Sequence, residues 1–144
     1  MSTTMLLILA TLAYAAFGIL TSQAGGKIDA KLSSGILNGV GAILPLAIWQ
    51  IQRMTRGGLM SSRPSGLVFS ILAGLAVGVF SILLVTLYGR GGELSFVFPV
   101  IYGGAIATTA IVGWVALGDA FSWVHLGGVA GIVIGISLLA LPAR

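Results

Sequence analysis

Residues 66–88 read GLVFSILAGLAVGVFSILLVTLY, and no charged side chain interrupts them. A helix that crosses the hydrocarbon core of a bilayer needs roughly 17–25 such residues, so this stretch predicts a transmembrane helix. Outward from it the pattern repeats. Apolar runs fill about residues 4–24, 32–52, 95–117 and 124–141, and every Lys, Arg, Asp and Glu falls between them or at the end of the chain. The composition is 58% hydrophobic and 7% charged, against roughly 25% charged for an ordinary soluble domain. With a mean hydropathy of +1.13, a water-soluble fold would expose more apolar surface than monomers tolerate. The expected fold is therefore all-α and integral to a membrane, with five transmembrane helices in a single domain over residues 1–144.

Several function classes drop out. The net charge is +4, but the seven basic residues are scattered and form no stripe that would track nucleic acid. Cysteine is absent, which removes disulfides, thiolate nucleophiles and Cys metal sites. The residues before the first apolar run include no Lys or Arg, so that run reads as a retained helix and not as a secretory signal. There is no Ser–His–Asp set on neighbouring faces, no His/Asp metal cluster and no glycine loop followed by Lys. Neither enzyme chemistry, a metal nor a cofactor is expected.

The punctuation between the runs is clear. Ala24-Gly25-Gly26-Lys27 and Gly89-Arg90-Gly91-Gly92 read as helix stops, and Ser122 as the N-cap of the fifth helix. Pro45 lies well inside the second run and Pro99 near the start of the fourth. Each removes one backbone hydrogen bond and kinks its helix, which makes both candidate hinges. The longest connection, about residues 53–65, is mildly amphiphilic and suits the membrane surface. Trp49, Tyr88, Trp114 and Trp123 fall near span ends, where aromatics belong.

The few polar residues inside the runs recur at helical spacing. Thr11, Tyr14, Gly18 and Thr21 share one face of the first helix, and Ser34, Asn38, Gly41, Pro45 and Trp49 one face of the second. Ser70, Gly74, Gly78, Ser81, Val85 and Tyr88 do so on the third, and Ser95, Pro99, Tyr102, Ile106, Thr109 and Gly113 on the fourth. In lipid such faces turn towards protein or a water-filled cavity. Four of them enclose a moderately polar chamber, or they simply pack, because small and hydroxylated residues let membrane helices approach closely. Tyr14, Asn38, Trp49, Tyr102, Thr109 and Trp114 are the candidate solute-binding residues. The first four helices line the path, the tyrosines, Asn38 and Thr109 supplying hydrogen bonds and the tryptophans apolar walls.

The fifth run differs. Gly127, Gly131 and Gly135 repeat every fourth residue, and Ser137 is the main polar group. Gly-x-x-x-Gly with apolar fill builds a close helix seam, either within one chain or, as preferred here, between two chains. Asp, Glu, Lys and Arg are absent from the spans, so exchange driven by an intramembrane carboxylate is disfavoured. His125, at the start of the fifth helix, reads as a headgroup contact and not as a proton relay.

Threading the runs through a bilayer puts Arg53, Arg56 and Arg63 on the side of the N-terminus and Lys27, Lys31, Arg90 and Arg144 on the other. This is almost no bias under the positive-inside rule, so the chain is expected to insert both ways and to pair as an antiparallel homodimer.

The stretch Phe98-Pro99-Val100-Ile101-Tyr102, the small run Gly103-Gly104-Ala105, the turn Ala116-Leu117-Gly118-Asp119 and the glycines at 127, 128, 131 and 135 resemble the closing part of an EamA domain. That domain is the repeat unit of the drug/metabolite transporter superfamily. Five helices in a chain of this length resemble one such unit, most specifically over residues 95–141. Larger members carry two units with inverted topology. The resemblance thus implies one half of an inverted-repeat ten-helix transporter, completed by a second copy, in a bacterial or archaeal cytoplasmic membrane. It also implies a carrier of small organic metabolites or drugs by alternating access, around a site near the midplane. Two departures stand out. Asp119 occupies a turn position where the family often has Glu, and is assigned to structure. The distantly similar small multidrug resistance proteins carry a Glu in helix one where this chain has Ala13-Tyr14-Ala15-Ala16, so the resemblance does not extend to cationic-drug/proton exchange by that route. The competing expectation is a non-transporting membrane subunit, or half of a lipid-carrier flippase with a different partner chain.

Overall fold

The computed structural model describes residues 2–56, 64–120 and 122–139. Among them the regular structure is wholly helical: α1 (Thr3–Ala24), α2 (Ala30–Arg56), α3 (Pro64–Gly89), α4 (Leu94–Leu117) and α5 (Trp123–Leu139). The first four are long and apolar enough to cross a membrane, and α5 is a shorter apolar helix of 17 residues. Large apolar side chains stand exposed along them, including Leu20 at 70%, Leu44 at 68% and Phe69 at 70%. Such a surface is stable against lipid and not against water. The chain is a membrane-embedded helical protein. Glycine loop residues 57 and 58, Ser61, Ser62 and Arg63 of the longest connection, and Arg144, lie outside the described residues.

The helices extend past the apolar runs, for local reasons. At the start of α2, Asp29 Oδ1 accepts the backbone N–H groups of Lys31 (2.9 Å) and Leu32 (3.1 Å), capping the helix upstream of its first apolar residue. This places Lys31 in the first turn of α2. At the other end Arg53 and Arg56 continue the helix, as cations near a C-terminus do. The Arg53 guanidinium lies 5.5 Å from the ring centroid of Trp49. With 27 residues, α2 is about 40 Å long, enough to carry its terminal charges into both headgroup layers. The first described residue of α3 is Pro64, and proline is well tolerated in the first turn of a helix.

The chain falls into two compact units, residues 1–91 and 92–144. In the first, α3 packs against both α1 and α2. Its C-terminal half supplies the core: Ser81, Leu84 and Val85 are at most 1% exposed, and Tyr88 is 6% exposed. The turn after α1 closes over this end. Gly26 has φ +72°, and a Cβ on Gly25 would sit 2.9 Å from the Tyr88 carbonyl carbon and still closer to Tyr88 Cβ. The glycine stop is thus also a point of close approach to α3.

In the second unit α4 packs on α5. The contact is a knob in a notch: Ile132 and Ile136 lie over Gly103, where a Cβ would come within 3.2 Å of Ile132 Cγ2. The end of α4 is a left-handed stop, with Gly118 at φ +73° and the Asp119 N–H donating to Gly113 O at 3.0 Å. The Asp119 carboxylate then folds back on Gly113, 2.6 Å from where a Cβ would stand. This is the structural role expected of Asp119. Ser122 caps α5 as expected, and His125 completes the cap. Ser122 Oγ accepts the His125 N–H (3.4 Å), while His125 Nδ1 accepts the Ser122 N–H (3.1 Å). This is a capping box with imidazole in the place of a carboxamide or carboxylate. Because Nδ1 accepts a backbone N–H, the ring proton of the neutral imidazole sits on Nε2.

Candidate functional site

The polar faces of α2 and α3 meet at Ser34, Asn38 and Ser81. Asn38 Nδ2 donates to Ser34 O (2.8 Å) within its own helix and to Ser81 Oγ (2.8 Å) across the seam. Ser34 Oγ and Ser81 Oγ are hydrogen-bonded to each other, and Ser81 Oγ lies 3.0 Å from Gly78 O. Ser34 Oγ also reaches Gly78 O at 3.4 Å and Asn38 Nδ2 at 3.3 Å, so either serine of the pair can donate to the other; one order uses the shorter contacts. The Ser81 hydroxyl donates to Gly78 O, and its oxygen accepts from both Ser34 and Asn38. Both Asn38 amide hydrogens are then committed, and Oδ1 remains as its acceptor. The spacing that aligns Ser34 with Asn38 on one helix, and Gly74 and Gly78 with Ser81 on the other, allows this approach: no side chain intervenes at the glycines.

Two cavities of the first unit flank the seam. One is an open groove of about 570 Å³ between α2 and α3, lined by Lys31, Ser34, Gly35 and Asn38 on one side and by Gly74 and Gly78 on the other. The second, about 360 Å³, is lined by Tyr14, Phe17, Leu37, Val77, Phe80 and Ser81. Tyr14 and Phe17 are stacked there at 5.8 Å between ring centroids. Ser81 thus faces the aromatic cavity while its hydrogen-bond partners Ser34 and Asn38 line the groove.

Of the six residues proposed from sequence, Asn38 lines the groove and Tyr14 the aromatic cavity, with Ser81 linking the two. Trp49 is half exposed beside Arg53 and lines neither. In the second unit, Phe98 and Tyr102 rings lie 4.0 Å apart between centroids. The Thr109 hydroxyl donates back to Ala105 O at 2.9 Å, as helical threonines do when they face no other partner. Trp114 lines a shallow cavity of about 280 Å³ with Ser122, Trp123 and Leu126. Pro45 and Pro99 lie inside α2 and α4. The sequence reading placed Ser34 and Ser81 in their stripes but did not single them out, and it treated Lys31 as a loop charge. The capping carboxylate at Asp29 was the signal that moves Lys31 onto the helix.

Gly127, Gly131 and Gly135 do not form the α4–α5 contact: among the described residues no side chain or foreign backbone stands within 4 Å of where their Cβ atoms would be. The isoleucines make that contact, and the glycine face is open. Among the described residues no group of three or more His, Cys, Asp or Glu side chains is arranged to hold a metal ion.

No family model, no curated protein and no solved structure matches this chain.

Proposed function

We propose that this protein is a carrier of small organic solutes, metabolites or drugs, working by alternating access. In this reading it is one EamA-like unit of the drug/metabolite transporter type and operates as an antiparallel homodimer of ten helices in a bacterial or archaeal cytoplasmic membrane. It performs no covalent chemistry and needs no cofactor. The observation that carries the proposal is the hydrogen-bonded Ser34–Asn38–Ser81 seam within the spans, with one cavity on each side of it. A barrier between two cavities that is held by a few interhelical hydrogen bonds is a suitable gate, since such bonds in membranes are worth only about 0.6–2 kcal/mol. Asn38 and Tyr14 contact solute from the two sides, Tyr102, Thr109 and Trp114 contribute from the fourth helix, Trp49 walls the far end, and Pro45 and Pro99 are hinges. The open Gly127–Gly131–Gly135 face supports assignment of the dimer seam to α5.

Flux of candidate solutes into proteoliposomes tests the reading. Asn38→Ala and Tyr102→Phe each slow uptake while leaving the dimer intact; unchanged flux in both variants refutes the path. Cysteines introduced into the loops and labelled from one side of intact cells report topology, against a native background without thiols. Partial labelling of every loop from that one side is expected; a single orientation removes the antiparallel dimer.

A further inference from the structure

We infer that the groove between α2 and α3 is a binding site for an anionic membrane amphiphile, its phosphate or carboxylate head at Lys31 and its chain along the glycine face of α3. This is the groove in which the carrier reading sets Asn38 against solute, so amphiphile and solute would share it; the inference itself rests only on the membrane placement of α2 and α3.

Lys31 lines the groove, and among the described residues no carboxylate does. The nearest acid in sequence, Asp29, is occupied by the backbone N–H groups of Lys31 and Leu32. The groove therefore presents a cationic end that favours an anion. Below Lys31 come Ser34 and Asn38, one and two turns further into the span, so polar lining extends for about 10 Å along α2. Beyond them the walls are Ala73, Gly74 and Val77, which offer no hydrogen bond. A ligand matching this sequence of surfaces has a charged head, a polar neck and an apolar tail.

The groove is also open along its side, and Ile36, Leu72 and Leu75, the chain neighbours of its lining residues Gly35, Ala73 and Gly74, are 51–63% exposed. A tail therefore enters from the hydrocarbon without desolvation, whereas a free inorganic anion gains nothing from the apolar two-thirds of the cleft. The volume of about 570 Å³ accommodates the head and first methylenes of a lipid and leaves the remainder of the chain in the bilayer. Gly74 and Gly78 keep the cleft empty, with no other side chain of the described residues within 4 Å of either hypothetical Cβ. Larger residues at those positions would fill it.

The test is native mass spectrometry of the full-length protein in detergent, titrated with dioleoyl phosphatidylglycerol or dioleoyl phosphatidylcholine. The acidic lipid is expected to bind about fivefold more tightly, the contribution of one basic residue at a membrane surface. Lys31→Gln should abolish that preference while Lys31→Arg retains it, and Lys27→Gln, outside the groove, should leave it unchanged. Gly74→Leu should weaken both lipids by filling the apolar end; circular dichroism of that variant verifies its helices, and Gly74→Ala gives a graded second measurement. Millimolar inorganic phosphate should not displace the lipid. Equal binding of the two lipids, an unaltered preference in Lys31→Gln, or displacement by phosphate each overturns the assignment. None of these outcomes depends on solute flux, so loss of this site and loss of the carrier reading are told apart.

Discussion

The two units of this chain hold their helices together by opposite means. Between α2 and α3 the seam is polar, with Asn38 and two serines sharing hydrogen bonds beside two cavities. Between α4 and α5 it is apolar, with Ile132 and Ile136 seated over Gly103. Shape complementarity of the second kind has one good register and deforms poorly. A few hydrogen bonds between flanking voids leave more room for rearrangement. The contrast predicts that the α2–α3 seam parts more readily than the α4–α5 contact.

The strongest way to break this contrast is Gly25→Ala. Its methyl would meet the Tyr88 backbone and Cβ, neither of which can rotate away, so a loss of about 3 kcal/mol is expected. Thermal or denaturant unfolding in detergent reads it, and a neutral variant contradicts the tight turn. Gly103→Ala also crowds its neighbours, but they are the ends of isoleucine side chains that can change rotamer. Here about 1 kcal/mol is expected, with Gly131→Ala as the silent control in monomeric detergent preparations. Gly131→Leu, by contrast, should shift the oligomer towards monomer in cross-linking and sedimentation, because the open glycine face then carries a bulky side chain. Ser81→Ala removes the hub of the polar seam and should cost about 1 kcal/mol of stability, with a larger proportional change in solute flux. The smallest effect concerns Tyr88, whose buried hydroxyl has no hydrogen-bond partner among the described residues. Tyr88→Phe should be neutral or stabilise by up to about 1 kcal/mol, and a marked loss would reveal a partner.

Much of the architecture was legible before any coordinates. The uncharged run at 66–88 could only be a buried or spanning helix, and the glycine stops and Ser122 cap fell where expected. What resisted prediction was register at the charged ends. A hydropathy reading stops at Lys31 and Arg53, whereas the backbone continues because Asp29 caps one end and cations suit the other. The site was legible as stripes but not as pairings. Spacing places Asn38 and Ser81 on the faces of their own helices, yet which faces meet is decided by long-range packing. The α5 glycines show the same limit: their spacing leaves a seam within one chain or between two open, and only three dimensions show that Ile132 and Ile136, not the glycines, face Gly103 of α4.

The proton order at Ser81 bears on what happens when α2 and α3 part. Its hydroxyl already leans on Gly78 O of its own helix, and Asn38 likewise holds Ser34 O. Pulled away from each other, both side chains keep one anchor on their own helix, while the second Asn38 amide hydrogen and the Ser34 hydroxyl lose their acceptor at Ser81. Unzipping this junction therefore forfeits only the links that cross it, which makes the joint resealable.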